Sequence, residues 1–344
     1  MRRSPSLALL ISVAIVLAAC SNPAASTPPS EAPASDTPSV APTAAPSTPA
    51  TTYKVGYISL GEAIPFVNIV SDSIREEAAK AGVELAFCDS EIDAAKALAC
   101  AQNLKVQEVD AVLNFQLFED SSPEICQAYD NLPTIAIDIV QNPCQVAFMG
   151  ADNTLAGTIA GRAVGEALKA ENDCTYEAVV TLDTKGAGAT TLARMNGMIA
   201  GFEEICGPID EAQFRSLDVG GTTDGAVTKF GDTLSAIPPG GIIAVLSLND
   251  DMSLGAFAAA RTAGREAELR LAGQGADPTS WKEIACNPYW LADTAYFPDT
   301  YGSILIPAVV DLLNGETIPE NLFVEHEVIT EDNVRTFFPE TPAC

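Results

Sequence analysis

From position 53 to position 297 the chain repeats one alternation, a short apolar or β-branched run followed by a stretch of helical periodicity, and no other feature constrains its fold as much. Strands are predicted at 53–60, 83–88, 110–115, 134–138, 177–183, 212–218, 242–248, 269–274 and 290–297, with helices between most of them. Positions 67–81 carry apolar residues at helical spacing and run into Gly82, a residue suited to closing a helix. Strand and helix in strict alternation imply parallel sheets covered on both faces. About 290 residues are available for folding, too many for one core of ordinary size. The expected class is α/β, with two Rossmann-like lobes of about five strands each, and no shorter repeat period is visible.

The N-terminal region has a different character. Arg2 and Arg3 precede an apolar run at 7–19 that has signal-peptide length and is too short to span a bilayer. It ends in Leu17-Ala18-Ala19-Cys20, which resembles the bacterial lipobox, where processing occurs before the cysteine and lipid is attached to its sulfur. Residues 1–19 are therefore expected to be a signal peptide and Cys20 the lipidated first residue of an extracytoplasmic, membrane-anchored protein. Residues 20–52 are dominated by Pro, Ser, Ala and Thr, cannot bury enough surface to fold, and read as a tether. No later segment approaches eighteen unbroken apolar residues. The formal net charge of −28 excludes nucleic acid and anionic lipid surfaces as partners of the folded part.

Eight further cysteines stand at positions 88, 100, 126, 144, 174, 206, 286 and 344. An even number outside the reducing cytosol suggests disulfides. The spacings favour neighbours: Cys88 with Cys100, Cys126 with Cys144, Cys174 with Cys206, and Cys286 with Cys344. No pair has the spacing of a zinc knuckle, and the single histidine, His326, lies far from the cysteines, so no metal is expected. His326 itself, between Glu325 and Glu327, reads as a surface residue.

In open parallel sheets, ligands bind beyond the carboxyl ends of the strands. Those positions hold Glu62 and Phe66, Asn114 and Gln116, Asp138, Asp183 with Lys185, Asn249 with Asp250, Gln274 and Tyr296. Carboxylates and amides engage neighbouring hydroxyls in paired hydrogen bonds, and an aromatic ring covers the C–H face of a sugar. A nucleophile elbow, a His-Glu-x-x-His helix and a phosphate loop are all missing, and Gly186-Ala187-Gly188 stops short of a dinucleotide fingerprint. The chain therefore reads as a carrier without cofactors and not as an enzyme. Trp281 and Trp290 read as packing residues.

At these residues the chain resembles the ribose-type sugar-binding proteins of bacterial importers, the type I periplasmic binding fold. The most specific stretch is Asn249-Asp250-Asp251-Met252-Ser253-Leu254-Gly255-Ala256, which is similar to the family's Asn-Asp-x-Met-x-x-Gly-Ala segment. Pro65-Phe66, Gly150-Ala151-Asp152-Asn153 and Arg194-Met195-Asn196-Gly197 support it in order and spacing. The resemblance implies two lobes joined by a three-strand hinge, residues 53–152 with 297–325 and residues 153–296 with 326–344, closing on a small solute. It implies a sugar or polyol as ligand, an ABC permease as partner, and a monomer. It places ligand contacts at Phe66, Asn114, Asp138, Arg194 and Asn249, with Gln274, Asp277 and Tyr296 nearby. Asp250 is expected to cap the helix that follows it.

Three departures narrow the ligand. Ile139 stands where the ribose-type pattern has Arg, Gly275 where it has Asp with Asp277 close behind, and Val67 where it has a second aromatic. They argue against ribose itself and leave another sugar, a polyol or a nucleoside open. The same fold also serves as the input of membrane sensors, and a sugar-processing enzyme is the remaining rival.

Overall fold

A computed structural model of the protein describes residues 52–344. The signal peptide, Cys20 and all but the last residue of the tether lie outside the described residues.

The first sheet is laid down by β1 (Lys54–Ser59), α1 (Pro65–Ala81), β2 (Glu84–Asp89), α2 (Ala94–Val106), β3 (Ala111–Asn114), α3 (Ser122–Ala128), β4 (Thr134–Ile137) and β5 (Gln145–Gly150). The chain then crosses to α4 (Asn153–Asn172), β6 (Ala178–Asp183), α5 (Ala189–Cys206), β7 (Phe214–Asp218), α6 (Thr223–Ala236) and β8 (Ile243–Ser247). The second sheet continues with α7 (Asp250–Thr262), β9 (Leu269–Gly275), α8 (Trp281–Cys286) and β10 (Trp290–Ala295). Two further crossings deliver α9 (Tyr301–Leu313) and β11 (Asn321–Phe323) to the first lobe, then β12 (Glu327–Ile329) and α10 (Val334–Phe337) to the second.

The strand orders are β11-β5-β4-β3-β1-β2 and β12-β10-β9-β8-β6-β7, so each sheet has six strands instead of the expected five. The pairings are parallel except that of β12 with β10. The additional strands are β5, β11 and β12. The last two are three residues long, and three residues give no usable period in the sequence.

Strands β6 and β8 are buried along their whole length because helices cover both faces, which is why they read as continuous apolar runs. One apolar cluster under α1 and α9 and another under α2 and α3 sandwich the first sheet, and a single large cluster fills the second lobe. Helices α4 and α5 meet backbone to backbone. A Cβ added at Gly161 would collide with the carbonyl oxygen of Met198, which accounts for the glycine-rich sequence of α4. Trp290 stacks on Phe257 and Trp281 on Phe338, at centroid distances of 5.7 and 4.6 Å.

Four disulfides join Cys88 to Cys100, Cys126 to Cys144, Cys174 to Cys206 and Cys286 to Cys344, with Cα separations of 5.5 to 5.6 Å. The last closes the longest loop, 58 residues, and ties the C-terminal residue to α8. Among the described residues no helix is long and apolar enough to cross a membrane.

Candidate functional site

In each sheet the chain winds one way from a central strand and then the other, so the carboxyl ends of β1 and β3, and of β6 and β8, flank a crevice. The two crevices face a common cavity of about 130 Å³. At roughly 10 to 15 Å³ for each water-sized occupant, it holds on the order of ten such groups, the size class of a monosaccharide.

The first lobe supplies a mainly apolar wall. Leu60 and Ile64 come from the turn between β1 and α1, Phe66 and Val67 from the first turn of α1, Phe115 and Leu117 follow β3, and Ile139 follows β4. Phe66 is held edge-on against Tyr296 and Tyr301, with centroids 6.3 and 5.8 Å away. Asp138 is the one carboxylate of this wall. It sits just past β4 with a left-handed φ of 55°, a conformation that strains a residue with a side chain. Its amide donates to Met149 O at 2.9 Å. Gly150 makes room for it, because a Cβ there would collide with the Asp138 carboxylate. Tyr301 donates its hydroxyl to both carboxylate oxygens at 3.2 and 3.3 Å. Burial pushes the Asp138 pKa up to about 6, against the opposing pull of Arg194 and the Tyr301 hydrogen bond.

The second lobe supplies the polar wall. Arg194, on α5, donates from Nε to Asn153 Oδ1 at 2.8 Å and from Nη1 to Leu248 O at 3.3 Å, and its guanidinium lies 4.9 Å over the Tyr296 ring. Asn249 caps α7, accepting from Met252 N at 2.9 Å, and donates to Gly221 O at 3.2 Å while still lining the cavity. Tyr296 donates its hydroxyl to Gln274 Oε1, which leaves Gln274 Nε2 buried with no partner. Thr184 Oγ1 is buried and unpartnered in the same way. Asp277 accepts from Thr279 N at 2.8 Å, and burial raises its pKa.

Asp250 is not the helix cap that was expected. That role belongs to Asn249, and Asp250, as the first helical residue, turns inward. Its Oδ2 accepts from Asp277 N at 2.7 Å and Ser280 Oγ at 3.1 Å. Its Oδ1 has no ordinary donor, nor has Oδ2 of Asp293 on β10. Burial first, and then repulsion from Asp293, raises the Asp250 pKa, and burial raises that of Asp293. Two buried carboxyls side by side retain one proton between them.

The structure therefore brings Phe66, Asp138, Arg194, Asn249, Gln274, Asp277 and Tyr296 to the cavity wall. It does not bring Glu62, Asn114 or Gln116 there. Glu62 accepts from Ser59 and Ser71 at 2.7 and 2.5 Å and pairs with Arg75 at 2.8 Å. Burial alone would raise its pKa, but these hydrogen bonds hold it below the ordinary glutamate value. Asn114 and Gln116 are fully buried in an amide network around Gln141, to which they donate at 3.1 and 2.9 Å. The cavity also takes in Thr184 and Thr222 from loops, Thr191 from the first turn of α5 and Asp251 from the first turn of α7, which the strand-end reading does not name.

His326 is a hinge residue and not a surface one. It lies on the third crossing, half buried, with Nε2 accepting from Asp152 N of the first at 3.1 Å and Nδ1 facing Ala295 O of the second at 3.2 Å. Among the described residues no group of three or more His, Cys, Asp or Glu is placed to hold a metal ion.

The profile of the family described as "Periplasmic binding protein domain" matches residues 55–317. The ribose import binding protein RbsB of Escherichia coli (strain K12) is 28% identical over 281 residues, covering 78% of this chain and 87% of the relative. Among solved structures, an ABC transporter solute binding protein from Mycobacterium smegmatis with bound glycerol superposes with a TM-score of 0.75 at 20% identity, covering 86% of this chain and 98% of that one. An ABC transporter solute binding protein from Bacillus halodurans C-125 with bound myo-inositol gives 0.70 at 20% identity, over 85% and 100%. These structural likenesses establish the shared fold.

Proposed function

The chain belongs to the periplasmic binding protein domain family, and from that membership we propose that it binds a small polyhydroxylated solute, a sugar or polyol, and delivers it to an ABC permease. The observation that carries this reading is the cavity between the lobes, where Asp138, Arg194, Asn249 and Gln274 surround space of monosaccharide size and the Phe66 and Tyr296 rings border it. The ligands named for relatives, ribose for one and glycerol or myo-inositol for others, support the same class. We take the first lobe as residues 53–152 with 297–325 and the second as residues 153–296 with 326–344.

In mechanism, the solute rests its C–H face on the first wall, accepts from Gln274 Nε2 and Arg194, and donates to the carboxylates. These bonds are complete only when both walls are in place, so the ligand favours the closed state by its differential affinity for it. Hydrogen bonds involving charged groups contribute about 1.5 to 3 kcal/mol each. The protein acts outside the cytoplasm, and the lipobox-like Leu17-Ala18-Ala19-Cys20 supports a lipid on Cys20 as its tie to the membrane.

The test is a thermal-shift screen of monosaccharides, polyols and nucleosides, since binding to the native state raises the melting temperature. A rise with sugars or polyols is expected. A rise with nucleosides alone, or with nothing, would overturn the reading.

A further inference from the structure

Four carboxylates line the cavity, Asp138, Asp250, Asp251 and Asp277, against one guanidinium, that of Arg194. Arg194 acts on Asp138 across the cleft and offsets part of the rise that burial imposes on its pKa. Asp250, Asp251 and Asp277 are left together on the second wall. Lys282, the lysine nearest in sequence, is exposed and acts on Glu283, and the exposed Lys185 acts on Asp183 instead. Asp250 shares its proton with Asp293, but Asp251 and Asp277 have no such partner. The only side-chain hydrogen bond to Asp251 among the described residues is a long one from Thr223 Oγ1, at 3.3 Å. Beside these acids, the buried Nε2 of Gln274 and Oγ1 of Thr184 reach the cavity with no protein partner, which marks the spot as built for a ligand.

A neutral solute would meet the amide and hydroxyl but leave like charges crowded in a site that closure removes from water, which is costly for unpaired ions. An ammonium group carries three donors and a compensating charge. Resting on the reading of the cavity as a polyol site, we propose that the solute is an amino sugar or amino polyol whose protonated amine sits where Asp250, Asp251 and Asp277 converge. The apolar first wall covers the opposite, C–H face of the same molecule. The repulsion that Asp277 exerts on Asp250 and Asp251 agrees with this, since a bound cation relieves it.

The experiment is calorimetric titration of the purified protein at pH 7 with matched pairs: glucosamine and glucose, galactosamine and galactose, an inosamine and myo-inositol. In any pair that binds, the amine is expected to bind at least about tenfold more tightly. Asp251→Asn, which is isosteric, and independently Asp277→Asn should each shrink that preference, read as the ratio of amine to neutral affinity in the same variant, by about fivefold or more. Neutral members binding as well as or better than the amines, or an undiminished preference in both variants, would overturn the amine while leaving the polyol reading intact. Silence from every member of every pair would overturn both.

Discussion

The two walls of the cleft treat their polar groups in opposite ways. In the first lobe, Glu62 is enclosed by Ser59, Ser71 and Arg75, and Asn114 and Gln116 are used up on Gln141. The buried side-chain atoms without a hydrogen-bond partner among the described residues belong to Thr184, Asp250, Gln274, Trp290 and Asp293, all in the second lobe. Native proteins leave few such groups, so their confinement to one lobe, with Thr184, Asp250 and Gln274 on the cavity wall itself, carries meaning. The first lobe is complete without ligand and offers a seat. The second is left with unmet donors and crowded acids, and it sets what the cleft selects.

The largest test of this contrast is the carboxyl pair beneath the second wall. Asp293→Ala would strand Asp250 and the amide of Ala276, which donates to Asp293 Oδ1 at 3.0 Å. Breaking a buried pair on one side costs about 3 to 5 kcal/mol. Asp293→Asn supplies an N–H in place of the shared proton and should cost less than about 1 kcal/mol at pH 7. Urea unfolding midpoints measure both. Equal losses in the two variants would mean that no proton is held there and that the second lobe is not the strained one.

What was legible in the sequence divides along the same line. The alternation of strands and helices revealed the layered sheets because a buried parallel strand is apolar throughout, and strand ends pointed to Phe66, Asp138 and Gln274 because topology alone places them at the crevice. Asn114 and Gln116 also stand at a strand end. Whether their amides face a ligand depends on Gln141, a residue 25 to 27 positions further on, and no local pattern encodes that contact. Asp250 lost its expected capping role to Asn249 because a helix start is uncertain by a residue, and one residue of rotation turns a cap into a buried acid. His326 was unreadable as a hinge group because its partners, Asp152 N and Ala295 O, lie on two other crossings.

A smaller effect is expected at Asp138, the one acid of the first wall. Its pKa in the folded protein, about 6, lies above the ordinary 3.8, so between these values the folded state holds a proton that the unfolded chain does not. Stability of the ligand-free protein should therefore rise as pH falls from about 7 to about 5. Asp183, Asp251 and Asp277, also raised by burial, act in the same direction. His326, whose pKa burial lowers, opposes them, and the depressed Glu62 matters only at lower pH. Asp138→Asn should raise the melting temperature at pH 7, flatten its pH dependence, and weaken ligand binding by at least about tenfold, or roughly 1.4 kcal/mol. Parallel melting curves for wild type and variant would show that this carboxyl is not held protonated by burial.

The smallest effect tests how the complete lobe meets the incomplete one. Glu119, in the short turn after β3, reaches across the cleft so that its Oε2 accepts from the backbone N–H of Ala189 at 2.6 Å. Ala189 opens α5, the helix that carries Arg194. A carboxylate at a helix N-terminus is favoured by the unpaired N–H groups and the helix dipole, but Glu119 is only half buried and the bond itself is open to solvent, so its worth is about 0.3 to 1 kcal/mol. The bond exists only while the lobes are together, so it stabilises the closed state and leaves each lobe's own folding alone. Glu119→Ala should weaken solute affinity by roughly two- to fivefold, mainly through faster release. The difference should shrink at high salt, which screens a solvent-accessible charge. Unchanged release kinetics, or a lowered melting temperature of the ligand-free protein, would place Glu119 in the stability of one lobe and remove it from the closure of both.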